Sequence, residues 1–218
     1  MEDPRIRQFA QFLINHAVYL KQGEKILIEL HGHAYMLAKA LIEEAYRAGG
    51  QPFIHVFDYE LEGALIAGSD TQHMADVTSY ELARMKDMDA YIDIRATDNI
   101  TAWHSISAEQ MAIYHKEYWG PLHLRQRCNH TKWSVLRYPN DAMAQLAGMS
   151  TSEYEDFYFK ACLLDYEKMA TAMENMVKRM AKTDRVHITG PGTDISFSIK
   201  GIGSCAMSGN KNIPDGEI

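Results

Sequence analysis

The stretch KILIELHGHAYMLAKALIEEAYRAGGQPFIHVF, residues 25–57, decides the fold of this chain. It opens with a short run of Ile and Leu at Lys25–Leu30 and closes with a second apolar run at Gln51–Phe57. Between them, Ala34–Ala48 is rich in Ala, Leu and Glu and is followed by two glycines, where a helix end needs a left-handed backbone. Strand, helix and strand with short connections predict a parallel crossover unit.

The same alternation continues on both sides of this unit. Apolar residues at helical spacing predict a first helix over Arg5–Tyr19, and apolar runs predict a third strand at Asp89–Ile94 and a fourth at Thr131–Leu136. Capping, proline and glycine signals predict further helices at 69–86, 107–127 and 139–148, and a long one from Ser150 to about Lys182. We therefore expect an α/β fold with an open, mostly parallel sheet flanked by helices.

The pattern changes near the end of the sequence. Val186–Thr189 and Ile195–Ile199 alternate apolar with polar residues, and the Gly-Pro-Gly-Thr-Asp between them is typical of a turn, so a hairpin is predicted. We place a domain boundary here. Residues 1–182 are expected to form an N-terminal α/β domain, and residues 183–218 the first strands of a second, incomplete domain.

Composition and charge exclude several function classes. The 218 residues are 46% hydrophobic with a formal net charge of −7, and Lys and Arg are scattered, so nucleic acid is not an expected partner. No apolar run approaches the ~18 residues of a membrane span, and the acidic opening at Met1–Arg5 is unlike a signal peptide. We therefore expect a cytoplasmic protein that does not bind a membrane.

The sulfur-containing residues suggest packing rather than chemistry. The three cysteines are widely spaced and include no CxxC pair, so we expect small core residues rather than disulfides or a thiolate zinc site: Cys128, Cys162 and Cys205. Four methionines fall on one face of the last helix: Met169, Met173, Met176 and Met180. They indicate either an adaptable subunit or substrate surface or, as we expect, a buried stripe that packs one domain onto the next.

Two polar pairs lie at predicted strand ends. His31 and His33 flank a glycine at the carboxyl end of the first strand, where open parallel sheets bind ligands. They could form a weak metal site, but we expect His31 to be a solvated loop residue and His33 to begin the helix. Asp93 and Arg95 share one side of the third strand, either as a pair in a cleft or as a structural ion pair.

An aromatic-rich region follows the third strand. It contains Trp103-His104, His115 and Tyr118-Trp119, which either line a groove or pack in the core beneath a long loop. Known catalytic motifs are absent, since neither HExxH nor GxSxG occurs in the sequence, and the GPG turn joins two strands instead of opening a helix.

Two motifs near the end of the chain carry a family resemblance. TGPGTDI at 189–195 and GNKNIPDGEI at 209–218 resemble the thermophilic metallo-aminopeptidases of the aminopeptidase T, aminopeptidase S and PepS type. The similarity extends upstream through Trp133, Tyr138-Pro139-Asn140, residues 147–150 and Glu153-Tyr154, and more loosely through the first hundred residues. It therefore covers the whole chain, and residues 183–218 would begin a truncated C-terminal metal-binding, catalytic domain.

The resemblance implies a function and one site residue. In this family the Glu of the N-I-P-x-G-E run is a ligand of a centre of two divalent metal ions, such as zinc or cobalt, and that role carries over to Glu217. The ions would polarise the scissile carbonyl and activate water, so the enzyme would hydrolyse N-terminal residues from a peptide substrate. The resemblance also implies a homodimer.

The number of ligands limits this expectation. The family's other ligands, a second Glu, His residues and an Asp, have no counterpart among the 218 residues, and a catalytic zinc generally needs three protein ligands. We therefore expect this polypeptide to be inactive by itself. The alternative is a stand-alone α/β ligand-binding or interaction module without catalytic activity.

Overall fold

A computed structural model describes residues 3–218, which divide into two compact units. The first unit comprises the chain up to Leu163 together with Asn210–Pro214, and the second comprises Leu164–Gly209 with Asp215–Ile218. No helix of the described residues is long and apolar enough to cross a membrane.

The first unit is built on a four-stranded parallel sheet in the order β2-β1-β3-β4. Its strands are β1 (Lys25–Gly32), β2 (Gln51–Phe57), β3 (Ala90–Ala96) and β4 (Lys132–Arg137). Parallel neighbours require crossover connections, which helices supply here. The predicted open parallel α/β sheet is therefore confirmed.

Helices fill the connections of the first unit. They are α1 (Pro4–Phe12), which continues as a π-helix (Leu13–Ala17), α2 (Tyr35–Arg47), α3 (Tyr59–Gly68), α4 (Thr71–Lys86), α5 (Ala108–Ile113), a π-helix (Tyr114–Arg127) with a short turn α6 (Cys128–His130), α7 (Asp141–Leu146) and α8 (Thr151–Cys162).

The two faces of the sheet differ in character. The even-numbered residues of β1, Ile26, Ile28 and Leu30, are fully buried, and α2 packs on β1 and β2. The odd-numbered residue Leu27 instead joins Tyr91 in a cluster with side chains of α4 and the π-helix Tyr114–Arg127. This second face also carries the polar residues of the candidate site.

Three helices differ from the sequence-based expectation. Helix α3 was not predicted, and its N-terminus is capped by the Asp58 carboxylate, which accepts from the backbone N–H groups of Glu60 and Leu61. The helix expected from Pro139 begins at Asp141 instead, because Asn140 caps it and Pro139 precedes the cap. The helix predicted from Ser107 to Arg127 leaves α geometry after Ile113, and it contains Pro121, which has no N–H to donate.

The predicted long helix from Ser150 is also interrupted. The capping box of Ser150 and Glu153 starts α8 as expected, but α8 ends at Cys162 and Leu163 adopts a non-helical backbone. Asp165 then caps a new helix, α9 (Tyr166–Met180), by accepting from the Lys168 N–H.

The second unit contains α9 and a two-stranded antiparallel hairpin. Its strands are β5 (Arg185–Gly190) and β6 (Thr193–Ser198), as the alternation predicted, and Gly192 has the positive φ that the turn requires. Nearly all hairpin residues are exposed. Of the four methionines of α9, none is fully buried, and Met176 is exposed, so the expected buried stripe is wrong.

The cysteines occupy three different environments. Cys162 is buried, Cys128 is half-buried and Cys205 is exposed. The expectation of core residues therefore holds for Cys162 and is wrong for Cys205, which lies in the Gly-rich segment after the hairpin.

Candidate binding cavity and the Glu217 segment

Polar side chains replace apolar ones toward the carboxyl ends of the central strands. In register across the sheet, Glu29 of β1 pairs with His55 of β2 and with Asp93 of β3, and the next row pairs His31 with Arg95. Side chains two residues apart on a strand share a face, so these groups all project from the face that carries Leu27 and Tyr91. Open parallel sheets bind ligands at this carboxyl edge.

A buried ion pair lies at the base of this region. Glu29 and Arg127 are only 1% and 7% exposed, and Arg127 Nη2 donates to Glu29 Oε1 at 2.5 Å. The Tyr91 hydroxyl donates to the other oxygen of Glu29, and the Arg127 guanidinium lies 4.2 Å from the Tyr91 ring centroid. Burial raises the pKa of Glu29 to about 7 despite the nearby arginine, and Asp93 adds to the rise.

A second pair involves Asp93, as the strand periodicity predicted. Arg95 Nε donates to Asp93 Oδ2 at 2.9 Å, and His31 Nε2 lies 3.3 Å from Asp93 Oδ1. Burial lowers the pKa of His31, so its imidazole is neutral at neutral pH, and the ring stacks on Phe57 with centroids 4.7 Å apart. The expectation that His31 is a solvated loop residue is therefore wrong, because it is a largely buried residue of β1.

These groups open into a cavity of about 270 Å³ with aromatic walls. Tyr59 stacks on Trp103 at 4.8 Å between centroids, Tyr114 stacks on Tyr118 at 5.3 Å, and Trp119 completes the wall. Of the aromatic residues singled out in the sequence, Trp103, His115, Tyr118 and Trp119 line the cavity, whereas His104 is exposed. The groove interpretation of this region is thus supported by the geometry.

Four polar atoms of the cavity lining lack a hydrogen-bond partner among the described residues. They are His31 Nδ1, Glu62 Oε2, Asp93 Oδ1 and Arg127 Nε. The contact of Asp93 Oδ1 with His31 Nε2 at 3.3 Å is close but is not a hydrogen bond. Buried polar groups in proteins are nearly always satisfied, so each such atom needs an explanation. Four of them around one cavity indicate that a polar ligand or ordered water completes the site.

The carboxylate of Glu62 has an unusual environment. It reaches the cavity from α3, and burial raises its pKa to about 7, with Glu29 and Asp93 adding to the rise. Like charges near a buried carboxylate disfavour ionisation. The cavity therefore has an excess of carboxylate over positive charge next to Glu62.

Glu29, His55 and Glu81 have ligand atoms close enough to one another to suggest a metal site. Arginines, however, already occupy this group. Arg84 Nη2 lies 2.5 Å from His55 Nδ1 and also donates to Glu81, while Arg127 is bonded to Glu29. Cations at these distances repel a divalent ion, so the group fits an arginine-paired cluster better than a metal centre.

Glu217 lies in the second unit, in a segment with defined backbone contacts. Met207 N donates to Glu217 O at 2.8 Å, and the Asp215 carboxylate accepts from Gly209 N at 2.7 Å and from Gly216 N at 3.0 Å. The side chain of Glu217 is exposed, and no group of three possible metal ligands among residues 3–218 includes it.

Sequence reasoning found part of the cavity. It singled out His31, Asp93, Arg95, Trp103, His115, Tyr118 and Trp119. It missed the charged residues Glu29, Glu62 and Arg127 and the aromatic residues Phe57, Tyr59 and Tyr114. A usable signal existed for Glu29, because it is the one charged residue inside the apolar run Ile26–Leu30. A charge within a buried strand needs a partner, and for this reason it indicates a polar site.

The fold and the cavity define an open parallel α/β protein with a polar cavity at the carboxyl edge of its sheet. The family model for thermophilic metalloprotease (M29) matches residues 2–218, and the chain therefore belongs to this family. The resemblance found in the sequence is confirmed, and membership supports metal-dependent peptidase chemistry at the level of the family.

One solved structure has the same fold. Wild-type AmpT from Thermus thermophilus is 18% identical with a TM-score of 0.75, over 97% of this chain and 60% of that chain. The chain thus spans less than two thirds of that relative. The 2,5-dihydroxypyridine dioxygenase from Pseudomonas putida KT2440 is 11% identical over 88% of this chain and 46% of that chain. Its TM-score of 0.43 is too low to indicate a shared fold. No curated protein sequence matches the chain.

Proposed function

We propose that this chain is part of a metal-dependent aminopeptidase that removes N-terminal residues from peptides. The observation that carries the proposal is the family match over residues 2–218, which includes the NIPDGEI motif. Within it, Glu217 is one ligand of a centre of two divalent ions, such as zinc or cobalt. A carboxylate oxygen is a suitable ligand for either.

The proposal includes inactivity of the 218-residue polypeptide when it is assayed by itself. It is supported by the exposed position of Glu217 and by the lack of further ligands grouped with it among residues 3–218. Two-metal hydrolysis needs both ions held in place, and a single carboxylate cannot hold them.

The test is hydrolysis of leucine and phenylalanine p-nitroanilides by the purified chain. It is run with added zinc or cobalt and with a chelator, and AmpT serves as the positive control. No release above buffer is expected. Metal-dependent release by the chain would overturn the proposed inactivity.

The role of Glu217 needs a separate test. Reading the gene beyond codon 218 shows whether an open frame supplies further Glu, His and Asp ligands. In any longer active polypeptide, Glu217→Gln is expected to lower metal-dependent activity by at least about 100-fold, because even residues that only orient ligands cost 10–100-fold. Glu174→Gln, on the exposed side of α9, is the matched control. Equal activity of the two variants would remove Glu217 from the metal centre.

A homodimer and a cytoplasmic location belong to the same proposal. Strand β2 lies at one edge of the sheet, and its residues Ile54 and Val56 are 45% and 50% exposed. Proteins usually cover an exposed apolar edge strand, and a second copy of the chain would do so in a dimer. Sedimentation velocity tests the dimer, and cell fractionation tests the location.

A second candidate function is a ligand-binding module without catalysis. The cavity at Glu29, Asp93 and Arg127 favours it, because it lies within the first unit and contains buried polar atoms that make no hydrogen bond among residues 3–218. Saturable ligand binding without hydrolysis would separate this function from the first.

A further inference from the structure

We propose that the aromatic cavity of the first unit binds a small, neutral and flat heterocycle that carries a ring N–H next to a carbonyl group. A pyrimidine base such as uracil has this chemistry. The inference deepens the ligand-binding function given above as the second candidate, and it does not depend on the aminopeptidase assignment. Neither a metal ion nor Glu217 takes part in the binding.

Two buried side chains determine the hydrogen bonds that a ligand must offer. Asp93 is 3% exposed and its Oδ2 is bonded to Arg95, so the oxygen that makes no hydrogen bond, Oδ1, can only accept. Arg127 is 7% exposed, and its Nε, which also makes no hydrogen bond among the described residues, can only donate. The other two such atoms, His31 Nδ1 and Glu62 Oε2, accept or donate according to their protonation. A complementary ligand therefore needs both an N–H or O–H group and an acceptor, and uracil carries both.

The charge of the lining favours a neutral ligand over an ion. Arg95 is paired with Asp93 and Arg127 with Glu29, which leaves Glu62 as the third carboxyl group of the lining. Burial raises the pKa values of Glu29 and Glu62 to about 7, so near neutral pH these two groups together carry about one negative charge. With the charge of Asp93, this offsets the two guanidinium groups. A charged ligand would disturb the balance in a largely buried site, whereas a neutral ligand keeps it.

The histidines of the lining leave this balance unchanged. Burial lowers the pKa values of His31 and His123, so both rings are neutral at neutral pH. His115 is exposed, and any charge on it is screened by water. The buried part of the cavity therefore has no net charge for a ligand to compensate.

The walls of the cavity favour a flat ring. Tyr59 stacks on Trp103 with centroids 4.8 Å apart, and Tyr114 stacks on Tyr118 at 5.3 Å. Such rings bind a further flat ring by stacking or by edge contacts. The volume of about 270 Å³ lies just below the ~300–1,000 Å³ of pockets for drug-sized ligands, so a single ring or two fused rings suit it better than a long chain. Apolar faces with donors and acceptors along one edge are the properties of a heterocycle with a ring N–H next to a carbonyl group.

The test is isothermal titration of the 218-residue chain with uracil in the presence of a chelator, and uracil should bind saturably. Two rings without an N–H group bracket its size, the larger 1,3-dimethyluracil and the smaller 2-pyrone. A third probe, 5,6-dihydrouracil, keeps the polar groups but has a puckered ring, and a fourth, uracil-6-carboxylate, adds a negative charge. Each should bind at least about tenfold more weakly than uracil, because an unpaired buried polar group, a lost stacking contact or a buried charge costs that much. Equal affinity for both rings without N–H, or no saturable binding of uracil, would overturn the proposal.

A pair of variants locates the binding in this cavity. Glu62→Leu removes one of the polar atoms that make no hydrogen bond, and it should weaken uracil binding at least about tenfold. Glu60→Leu, at an exposed position of the same helix outside the lining, should leave uracil binding unchanged. Circular dichroism shows whether both variants are folded, and the probe series on the unchanged chain decides if Glu62→Leu is not. Unchanged uracil binding by folded Glu62→Leu contradicts the site.

The experiment keeps this inference separate from both candidate functions. It measures binding without metal and without hydrolysis, so a failure here is distinguishable from failure of the aminopeptidase assignment. A ligand of another class whose binding depends on Glu62 would overturn the inference and keep the ligand-binding function.

Discussion

Glu29 shows at the scale of one residue how this chain tolerates charge inside its sheet. Its neighbours Ile28 and Leu30 are fully buried, and Glu29 itself is 1% exposed. Transfer of an isolated carboxylate to such a place is very unfavourable, so the charge needs both a counter-ion and hydrogen bonds. Arg127 supplies the counter-ion, and the Tyr91 hydroxyl supplies a second hydrogen bond.

Removing the counter-ion should therefore destabilise the protein strongly. Arg127→Met is expected to lower the free energy of unfolding by about 3–5 kcal/mol, measured by urea denaturation, because it leaves Glu29 buried and unpaired. Arg125→Met, two residues away and exposed, should change it by less than about 0.5 kcal/mol. Adding Glu29→Gln to Arg127→Met should recover part of the loss, and no recovery would mean that the pair is not the cause.

The buried carboxyl groups also predict a pH dependence. The pKa values of Glu29 and Glu62 rise in the folded protein from an ordinary 4.5 to about 7, mainly through burial. The folded state then binds more protons than the unfolded state between these values, so the contribution of these two groups to stability falls as pH rises from about 4.5 to about 7.

Comparison with a variant isolates this effect from other titrating groups. The stability of Glu62→Gln relative to the unchanged chain, measured by urea denaturation at several pH values, should increase across this interval. Parallel stability curves for the two proteins would show that Glu62 does not carry the raised pKa.

Residue-level prediction succeeded where partners are close in sequence. The Asp93–Arg95 pair follows from strand periodicity, because residues two apart share a face. The Glu29–Arg127 pair joins residues 98 positions apart, and no local pattern indicates that the π-helix returns to the first strand. Glu217 was named from family resemblance, and its role as a ligand stays a prediction.

At the scale of elements, the sheet depends on a close approach at the end of β1. Gly32 pairs with Ala96 of β3 and has φ +87°, and a Cβ built on it would lie 2.1 Å from the Ala96 carbonyl oxygen. Only glycine satisfies both conditions, since other residues are strained at this φ and would collide with backbone.

Substitution of this glycine should be costly. Gly32→Ala is expected to lower the free energy of unfolding by more than about 1 kcal/mol, measured by denaturant titration. Gly68→Ala, at the end of α3, is the matched control, because its Cβ would meet nothing within 4 Å. The control should be neutral or slightly stabilising, and equal effects at the two positions would contradict the predicted clash.

Elements were predictable where caps and periodicity agree. β2 was predicted with its observed bounds, and the Ser150 capping box correctly begins α8. The interruption at Leu163 was missed because Asp165 is a weak signal within a periodic pattern, although its carboxylate accepts from the Lys168 N–H in the first turn of α9. The π-helix was missed for a related reason. Its buried side chains Tyr114, Tyr118 and Leu122 keep a spacing of four that also suits an α-helix.

At the scale of the whole molecule, the two units differ in how their backbone is protected. The two central strands of the first unit, β1 and β3, are buried on both faces. The hairpin of the second unit has two strands, and its residues are almost all exposed. An isolated two-stranded hairpin is marginally stable at best.

Hydrogen exchange should resolve this difference. Amides of Val186–Ser198 are expected to exchange through openings of nearly zero free energy, whereas those of Ile26–Leu30 and Ala90–Ile94 should exchange near the free energy of global unfolding. Mass spectrometry of the 218-residue chain measures both sets in one experiment, with the β1 peptide as the internal reference. Equally slow exchange of the hairpin in a monomer would show that other contacts protect it.

The three cysteines give the molecule a natural order of thiol reactivity. Burial raises the pKa of Cys162 to about 12 and also raises that of Cys128, whereas Cys205 is exposed. Thiolates are the reactive form, so a maleimide dye at neutral pH should attach first at Cys205. The second unit can thus be labelled at one position without mutagenesis, which provides a fluorescent reporter located a few residues from the NIPDGEI motif.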